Sequence, residues 1–219
     1  GTELLLPDAA IVELCRDKHH LLERARGVVP IPVSRVWDKS VDVDDCVFPA
    51  LVKPRDGSGS RDVQRLSAAA ELLKVPRDGR FLLQEYLPGA EYSVDVVADR
   101  DGRVGSAVPR ERLRIDSGVA LTSRTVRDPT LEDYASRLAA HLSLRYVSNI
   151  QFRRDREGVP KLLEINPRVP GTLPLTVASG VNLVHYAVAS ALDLPLPTLA
   201  NPFRELGMSR SYQEHFFPV

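Results

Sequence analysis

The sequence predicts an α+β fold of two lobes with mainly antiparallel sheets, and three observations lead there. Apolar and polar residues alternate through 91–98 and through 147–165, the two-residue period of half-buried strands. Short polar turns join successive strands, as at Asp56-Gly-Ser-Gly-Ser60 and Asp155-Arg-Glu-Gly158. The break at Leu87-Pro88-Gly89-Ala90 divides the pattern, so the two lobes meet near Leu87.

The composition supports a packed core. The chain has 219 residues, of which 43% are hydrophobic and 26% charged. A formal net charge of zero gives no bulk attraction to nucleic acid or an anionic membrane. No apolar run reaches the roughly 20 residues that cross a bilayer, and no secretory signal is present. Cys15 and Cys46 make neither a disulfide framework nor a CxxC site, so a reducing cytoplasm is expected. The chain opens on Gly1 and its only methionine is Met208. The expectation is therefore a piece of something longer, or a cloning remnant at Gly1-Thr2.

The elements follow in order. Asp8 is positioned to cap a helix after Pro7 that stops at Gly27, with the polar stretch from Arg16 to His20 as a place to split it. Strands are expected over 33–37, 51–54 and 62–66, the last two as a hairpin. Ser67 is read as the cap of a helix to Lys74, and 81–86 returns as a strand. Strands at 91–98, 104–113 and 119–126 come next. Asp128-Pro129 starts a helix to about Leu144. The hairpin 147–153 and 159–165 precedes helices at 172–179 and 183–192, and a last strand is expected over 209–217. The division expected is a helical segment 1–27, a smaller lobe 28–88 with the small-residue loop, and a larger lobe 89–219.

Three segments have the chemistry of a site. In the 147–165 hairpin, alternation turns Ile150, Phe152, Leu163 and Ile165 towards core and leaves Asn149, Gln151, Glu164 and Asn166 on the other face. A carboxylate and amide oxygens are hard donors suited to Mg²⁺, and Arg168 beyond Pro167 reaches a phosphoryl oxygen or carboxylate. A solvated strand face with a structural Glu–Arg pair fits the same spacing. In Lys53-Pro-Arg-Asp-Gly-Ser-Gly-Ser60, a lysine ends a strand beside a loop whose N–H groups can cover phosphates. It lacks the GxxxxGK[ST] spacing of a P-loop, and an ordinary hairpin turn fits it too. In Gln84-Glu-Tyr-Leu-Pro-Gly-Ala-Glu91, strand-end backbone groups can pair with an adenine edge and Glu91 can accept ribose hydroxyls. A plain interlobe hinge fits equally.

Taken together, "CRDKHHLL", "LVKPRDGSGS", "QEYLPGAEYSVDV", "NIQFRRDREGVPKLLEINPR" and "GTLPLTVASGVNL" occur in an order that resembles the ATP-grasp superfamily. The branch most similar is that of the carbamoyl phosphate synthetase ATP-grasp domains. The resemblance runs from about Arg16 to Leu183 and implies the ATP-grasp fold, with ATP bound between the lobes. It implies phosphate contacts for Lys18, Lys53 and the loop Gly57, Ser58, Gly59 and Ser60. It implies an adenine hinge at Glu85, Tyr86 and Leu87, with Glu91 on the ribose. Gln151, Glu164 and Asn166 become ligands of Mg²⁺, with Mn²⁺ as an alternative, and Asn166 and Arg168 face the transferred phosphoryl group. The implied reaction is ADP-forming: a small-molecule carboxylate becomes an acyl phosphate that an amine or similar nucleophile attacks. Two departures stand out. The family's preceding domain, roughly a hundred residues that help to form the acceptor site, has no counterpart here, and Tyr146 stands where many relatives have glycine. An ATP-binding fragment or regulatory module without turnover is the alternative reading, and an oligomer is compatible with either. Arg110, Arg112 and Arg114 alternate on one strand as candidates for holding an acidic acceptor, or as a solvated face.

Overall fold

A computed structural model describes residues 4–57, 59, 61–211, 213 and 215–218. The chain opens with two helices, α1 (Ala9–Arg16) and α2 (Lys18–Ala25). Asp17 separates them: its backbone is extended, and its carboxylate accepts from the N–H groups of His19 and His20. That local bond outcompetes helix continuation, as Asp does at a cap. Asp8, expected as a cap, makes no cap bond and accepts from Arg145 instead, at 3.3 Å.

The smaller sheet contains β1 (Ser34–Trp37), β2 (Ala50–Pro54), β3 (Gln64–Leu66) and β4 (Phe81–Glu85), in the antiparallel order β1-β4-β2-β3. Its core gathers Trp37, Val52, Leu66, Leu72 and Val75, and the Trp37 indole N–H donates to Val75 O at 3.1 Å. The helix expected from Ser67 to Lys74 is one turn, α3 (Ala69–Leu72). Ser67 does not cap it: Ala68 stands at the cap position, and the Ser67 N–H donates to the Glu71 carboxylate at 2.7 Å.

The larger sheet contains β5 (Glu91–Ala98), β6 (Val104–Asp116), β7 (Val119–Thr125), β8 (Tyr146–Arg154), β9 (Pro160–Asn166) and β10 (Gly207–Ser209). Its order is β10-β7-β6-β5-β8-β9, antiparallel throughout. Helix α4 (Pro129–His141) starts as the sequence predicts, with the Asp128 carboxylate accepting from Thr130 and Leu131. Helices α1, α2 and α4 cover one face: Leu21, Leu22 and Leu138 pack with Ile150, Phe152 and Leu162. Helices α5 (Leu173–Ala178) and α6 (Leu183–Ala191) precede β10, and Leu183 and Tyr186 join a second cluster with Val97, Tyr146 and Phe203. The last strand begins earlier than expected. The Thr125 hydroxyl donates to Arg204 O and accepts from Leu206 N–H, which places 207–209 beside β7. Of the stretch expected as strand, 212 and 214 lie outside the described residues. Among the described residues no helix is long and apolar enough to cross a membrane.

Two buried features hold the larger sheet. Asp95 and Arg110 are both 0% exposed and form a two-pronged pair at 2.7 and 2.8 Å. Asn149 and Thr176 also donate to Asp95, at 2.7 and 2.6 Å, while Arg110 Nη1 donates to Thr172 at 2.7 Å. Arg110 is therefore spent inside the fold, which corrects its candidacy as an acceptor contact. Tyr146, buried at the start of β8, has φ 59°, a left-handed conformation that glycine adopts without strain. Its ring packing in the second cluster offsets that strain.

Arg110→Met is expected to destabilise the protein by about 3–5 kcal/mol, because it leaves the buried Asp95 carboxylate without its counter-charge. Urea denaturation at pH 7 checks this, and a loss below about 1 kcal/mol would show that hydrogen bonds alone carry Asp95.

Candidate functional site

A cleft opens between the two sheets. The small lobe contributes Lys53 from β2, Gln84 and Glu85 from β4, and then Tyr86 and Leu87. The large lobe contributes Glu91 (β5), Arg112 (β6), Gln151 (β8) and Glu164 (β9), and Lys18 enters from the start of α2. Gly57 and Gly59 line the same space, whereas Ser58 and Ser60 lie outside the described residues.

The floor of the cleft is set by register. Gln151 stands directly across from Glu164, and Asn149 from Asn166, so the polar face expected from alternation forms. Asn149 is drawn inward to Asp95. Asn166 Nδ2 donates to Glu164 Oε1 at 2.9 Å, which binds the amide to the carboxylate at the rim. Arg168 is exposed and does not line the cleft; its guanidinium donates to Asn166 Oδ1 and Val169 O.

The roof is cationic. Lys18 is 8% exposed and donates to Gly57 O at 2.8 Å. Lys53 is 6% exposed, and its ammonium makes no hydrogen bond or ion pair among the described residues. Burial pushes its pKa down from 10.5 to about 8, against the attraction of Glu164 and Glu91 and with the repulsion of Lys18. A largely buried ammonium without a carboxylate in contact is a site that an anion completes.

After β4, the Glu85 carboxylate is held by the protein itself: it accepts from Val33 N–H and from Lys161. Burial opposes the charge on Lys161, but Glu85 and Asp155 hold its pKa above the ordinary value. The Leu87 backbone makes no hydrogen bond among the described residues. The sequence reading missed Gln84, whose side chain is buried with Oε1 unpartnered and lines the cleft. The signal was its place on the strand beside Glu85, where alternation alone assigns it to core. Glu91 is ion-paired with Arg112 at 2.7 Å and with Arg153 at 3.5 Å. Gly118, in the β6–β7 turn, has φ 79° and comes so close to Gly59 that a Cβ there would lie 3.0 Å from Gly59 Cα, so both its backbone and this close approach favour glycine.

Lys53 makes stability depend on pH. Its folded pKa lies below its unfolded value, so between about pH 8 and 10.5 the unfolded chain holds a proton that the native one has lost. Stability attributable to Lys53 therefore rises with pH through that window. Lys53→Met is expected to be more stable than wild type near pH 7 by a few kcal/mol at most, with the advantage shrinking towards pH 10.5. Denaturation curves of both proteins across the window check this, and a constant difference would mean that Lys53 titrates normally.

Comparison with known proteins gives a family. The profile of a family described as ATP-grasp in the biosynthetic pathway with Ter operon matches residues 77–215. The carbamoyl phosphate synthase large chain of Thermoanaerobacter sp. (strain X514) is 28% identical over 168 residues, covering 69% of this chain and 16% of that one. That of Clostridium perfringens (strain SM101 / Type A) is 29% identical over 210 residues, covering 86% of this chain and 20% of that one. The chain thus spans no more than a fifth of the length of these relatives. Among solved structures, the biotin carboxylase domain of Hydrogenobacter thermophilus 2-oxoglutarate carboxylase, in complex with MgADP, ADP and bicarbonate, has a TM-score of 0.77 at 19% identity. It covers 91% of this chain and 50% of that one. N5-carboxyaminoimidazole ribonucleotide synthetase from Thermus thermophilus has a TM-score of 0.71 at 23% identity, covering 88% of this chain and 56% of that one. These likenesses establish the ATP-grasp fold, and because the family profile spans more than half of the residues, the chain belongs to the ATP-grasp family.

Proposed function

We propose that this chain is an ADP-forming ATP-grasp ligase module that activates a small-molecule carboxylate as an acyl phosphate. One observation carries the reading: two buried lysines from separate elements face the Gln151–Glu164 pair across a single cleft. The base is held by the hinge at Glu85 to Leu87, the ribose by Glu91, and the phosphates by Lys18, Lys53 and the N–H groups of the loop at 57–60. Lysine suits this role because a compact ammonium can follow a phosphate oxygen without bidentate geometry.

The donor set fits Mg²⁺. Gln151, Glu164 and Asn166 offer hard oxygens but a single carboxylate, and among the described residues there is no group of three His, Cys, Asp or Glu. So few charges suit an ion that arrives with phosphate oxygens rather than one held by protein alone. When bound, it neutralises charge on the transferring phosphoryl group. Lys53 does the same from the roof. The acceptor carboxylate attacks the γ-phosphorus, an O–P bond forms, and the bond to ADP breaks. An amine or similar nucleophile then displaces phosphate from the acyl carbon. The phosphoryl step needs no side-chain base, because an ionised carboxylate is already the nucleophile. The acceptor site is completed by a domain outside these residues, as the resemblance implies.

A second reading is an ATP-binding module without independent turnover. It is favoured by Arg168, which stands exposed outside the cleft lining.

Glu164→Gln is expected to leave the melting temperature unchanged and to lower MgATP-dependent phosphate release by about a hundredfold or more, because an amide keeps an oxygen donor but loses the charge. Phosphate release measured over a panel of carboxylates and amines tests this. Tight ADP binding with no release for any acceptor would select the second reading, and full activity in the variant would take Glu164 out of the site.

A further inference from the structure

Arg110 and Arg112 leave the same strand two residues apart, yet only the first is saturated by its surroundings. The Arg112 side chain is 5% exposed. Against β7 the strand carries an extra residue here, since Arg112 pairs with Ser123 and Arg114 with Thr122. Such a bulge re-aims side chains: Leu113 is exposed and Arg112 lines the cleft. Arg112 Nη1 donates to Glu91 Oε1 at 2.7 Å and to Gln151 Oε1 at 2.9 Å. Nη2 donates to Gly118 O at 2.6 Å, while the buried Nε–H has no partner among the described residues. A guanidinium cannot shed its proton, so a buried unmatched donor is costly until an acceptor reaches it.

Gln151 Oε1 is also the oxygen that the proposed function gives to a divalent cation. A guanidinium hydrogen and a metal ion compete for it, and both are positive in a poorly hydrated space. Resting on that reading, we propose that Arg112 is a positioning residue that makes cation binding at Gln151 and Glu164 conditional on nucleotide. A cation arriving alone displaces the guanidinium from Gln151 and then lies beside it with Glu164 as its own carboxylate, because Glu91 is already shared between Arg112 and Arg153. A cation arriving with a triphosphate brings the missing anion. Phosphate oxygens supply an acceptor for the Nε–H and the charge that lets both cations stay. Arg112 keeps Glu91 and Gly118 O as anchors and releases Gln151 alone, so the exchange asks for one hydrogen bond, not a rearranged sheet.

Mn²⁺ titration of the full chain without nucleotide, followed by electron paramagnetic resonance, tests this. Arg112→Met retains apolar length without charge and is expected to bind Mn²⁺ about tenfold or more tighter than wild type. The gain is expected to vanish in Arg112→Met combined with Glu164→Gln. A purely structural arginine predicts equal or weaker binding, and that result in a folded variant overturns the inference. If circular dichroism shows Arg112→Met unfolded, Arg112→Lys serves: its ammonium cannot bridge Glu91, Gln151 and Gly118 O together, so a smaller gain is expected and none overturns the inference. ADP titration of wild type separates the two levels. No ADP binding removes the functional reading and this inference with it, whereas ADP binding with unaltered Mn²⁺ affinity in the variants removes this inference alone.

Discussion

The buried pair of Asp95 and Arg110 is the constraint on which the larger lobe depends. Each Asp95 oxygen accepts two hydrogen bonds, Oδ1 from Arg110 and Asn149 and Oδ2 from Arg110 and Thr176. That fills the carboxylate, and Thr172 takes a further guanidinium N–H. A desolvated ion pair is tolerated on these terms, with every lone pair answered. The same bonds bring together β5, β6, β8 and the start of α5. Glu91, Arg112 and Gln151 project from those three strands into the cleft, so their mutual geometry is inherited from Asp95. The loop after β9, with Arg168, is held at its far end where Thr172 meets Arg110.

The lobes themselves are joined differently. Each sheet has its own apolar core, and polar contacts tie them at the edges. Lys161 of β9 reaches Glu85 of β4, and Arg55 reaches Asp17 at 2.6 Å. The Lys18 N–H donates to Arg55 O at 3.0 Å. Edge contacts of this kind leave the lobes free to change angle, unlike a shared apolar interface. They also place the roof cations with respect to the floor: Asp17, which splits α1 from α2 and pairs with Arg55, immediately precedes Lys18. A helix break that looks like an imperfection in the sequence thereby aims a cleft residue.

Much of this was legible in the residues, and the losses have physical causes. The period of two gave β5 to the residue, because one buried side enforces register, but it misplaced Leu163: the β8–β9 register shifts between Gln151 and Phe152, which puts Leu162 in the core and Leu163 on the cleft. Helix α4 was readable from Asp128-Pro129, a local signal that acts locally. The ends of α3 and β10 were not, because Glu71 and Thr125 settle them through side-chain bonds that no periodicity records. Nor could alternation separate Arg110 from Arg112. Both lie on one face by parity, and their different fates follow from Asp95 across one neighbour and a bulge against the other. The polarity of Gln84 was visible, but its missing partner is a three-dimensional fact.

The distribution of cations follows one rule. Of 29 basic residues only five are lysines, yet the two buried cleft cations without a carboxylate in contact among the described residues are Lys18 and Lys53. The two deeply buried arginine side chains each have a carboxylate in contact: Arg110 has Asp95 and Arg112 has Glu91. The reason is in the chemistry of the two groups. Arginine keeps its charge at any pH the protein meets, so it enters a dry site only with a counter-ion already in place. Lysine can answer burial by giving up its proton, and the fall of Lys53 to about 8 is that response. A site that must meet a polyanion from solution therefore gains from lysine. Its charge is held less firmly in the protein alone and is reinforced when phosphate arrives, which concentrates its attraction on the ligand instead of on a neighbouring side chain.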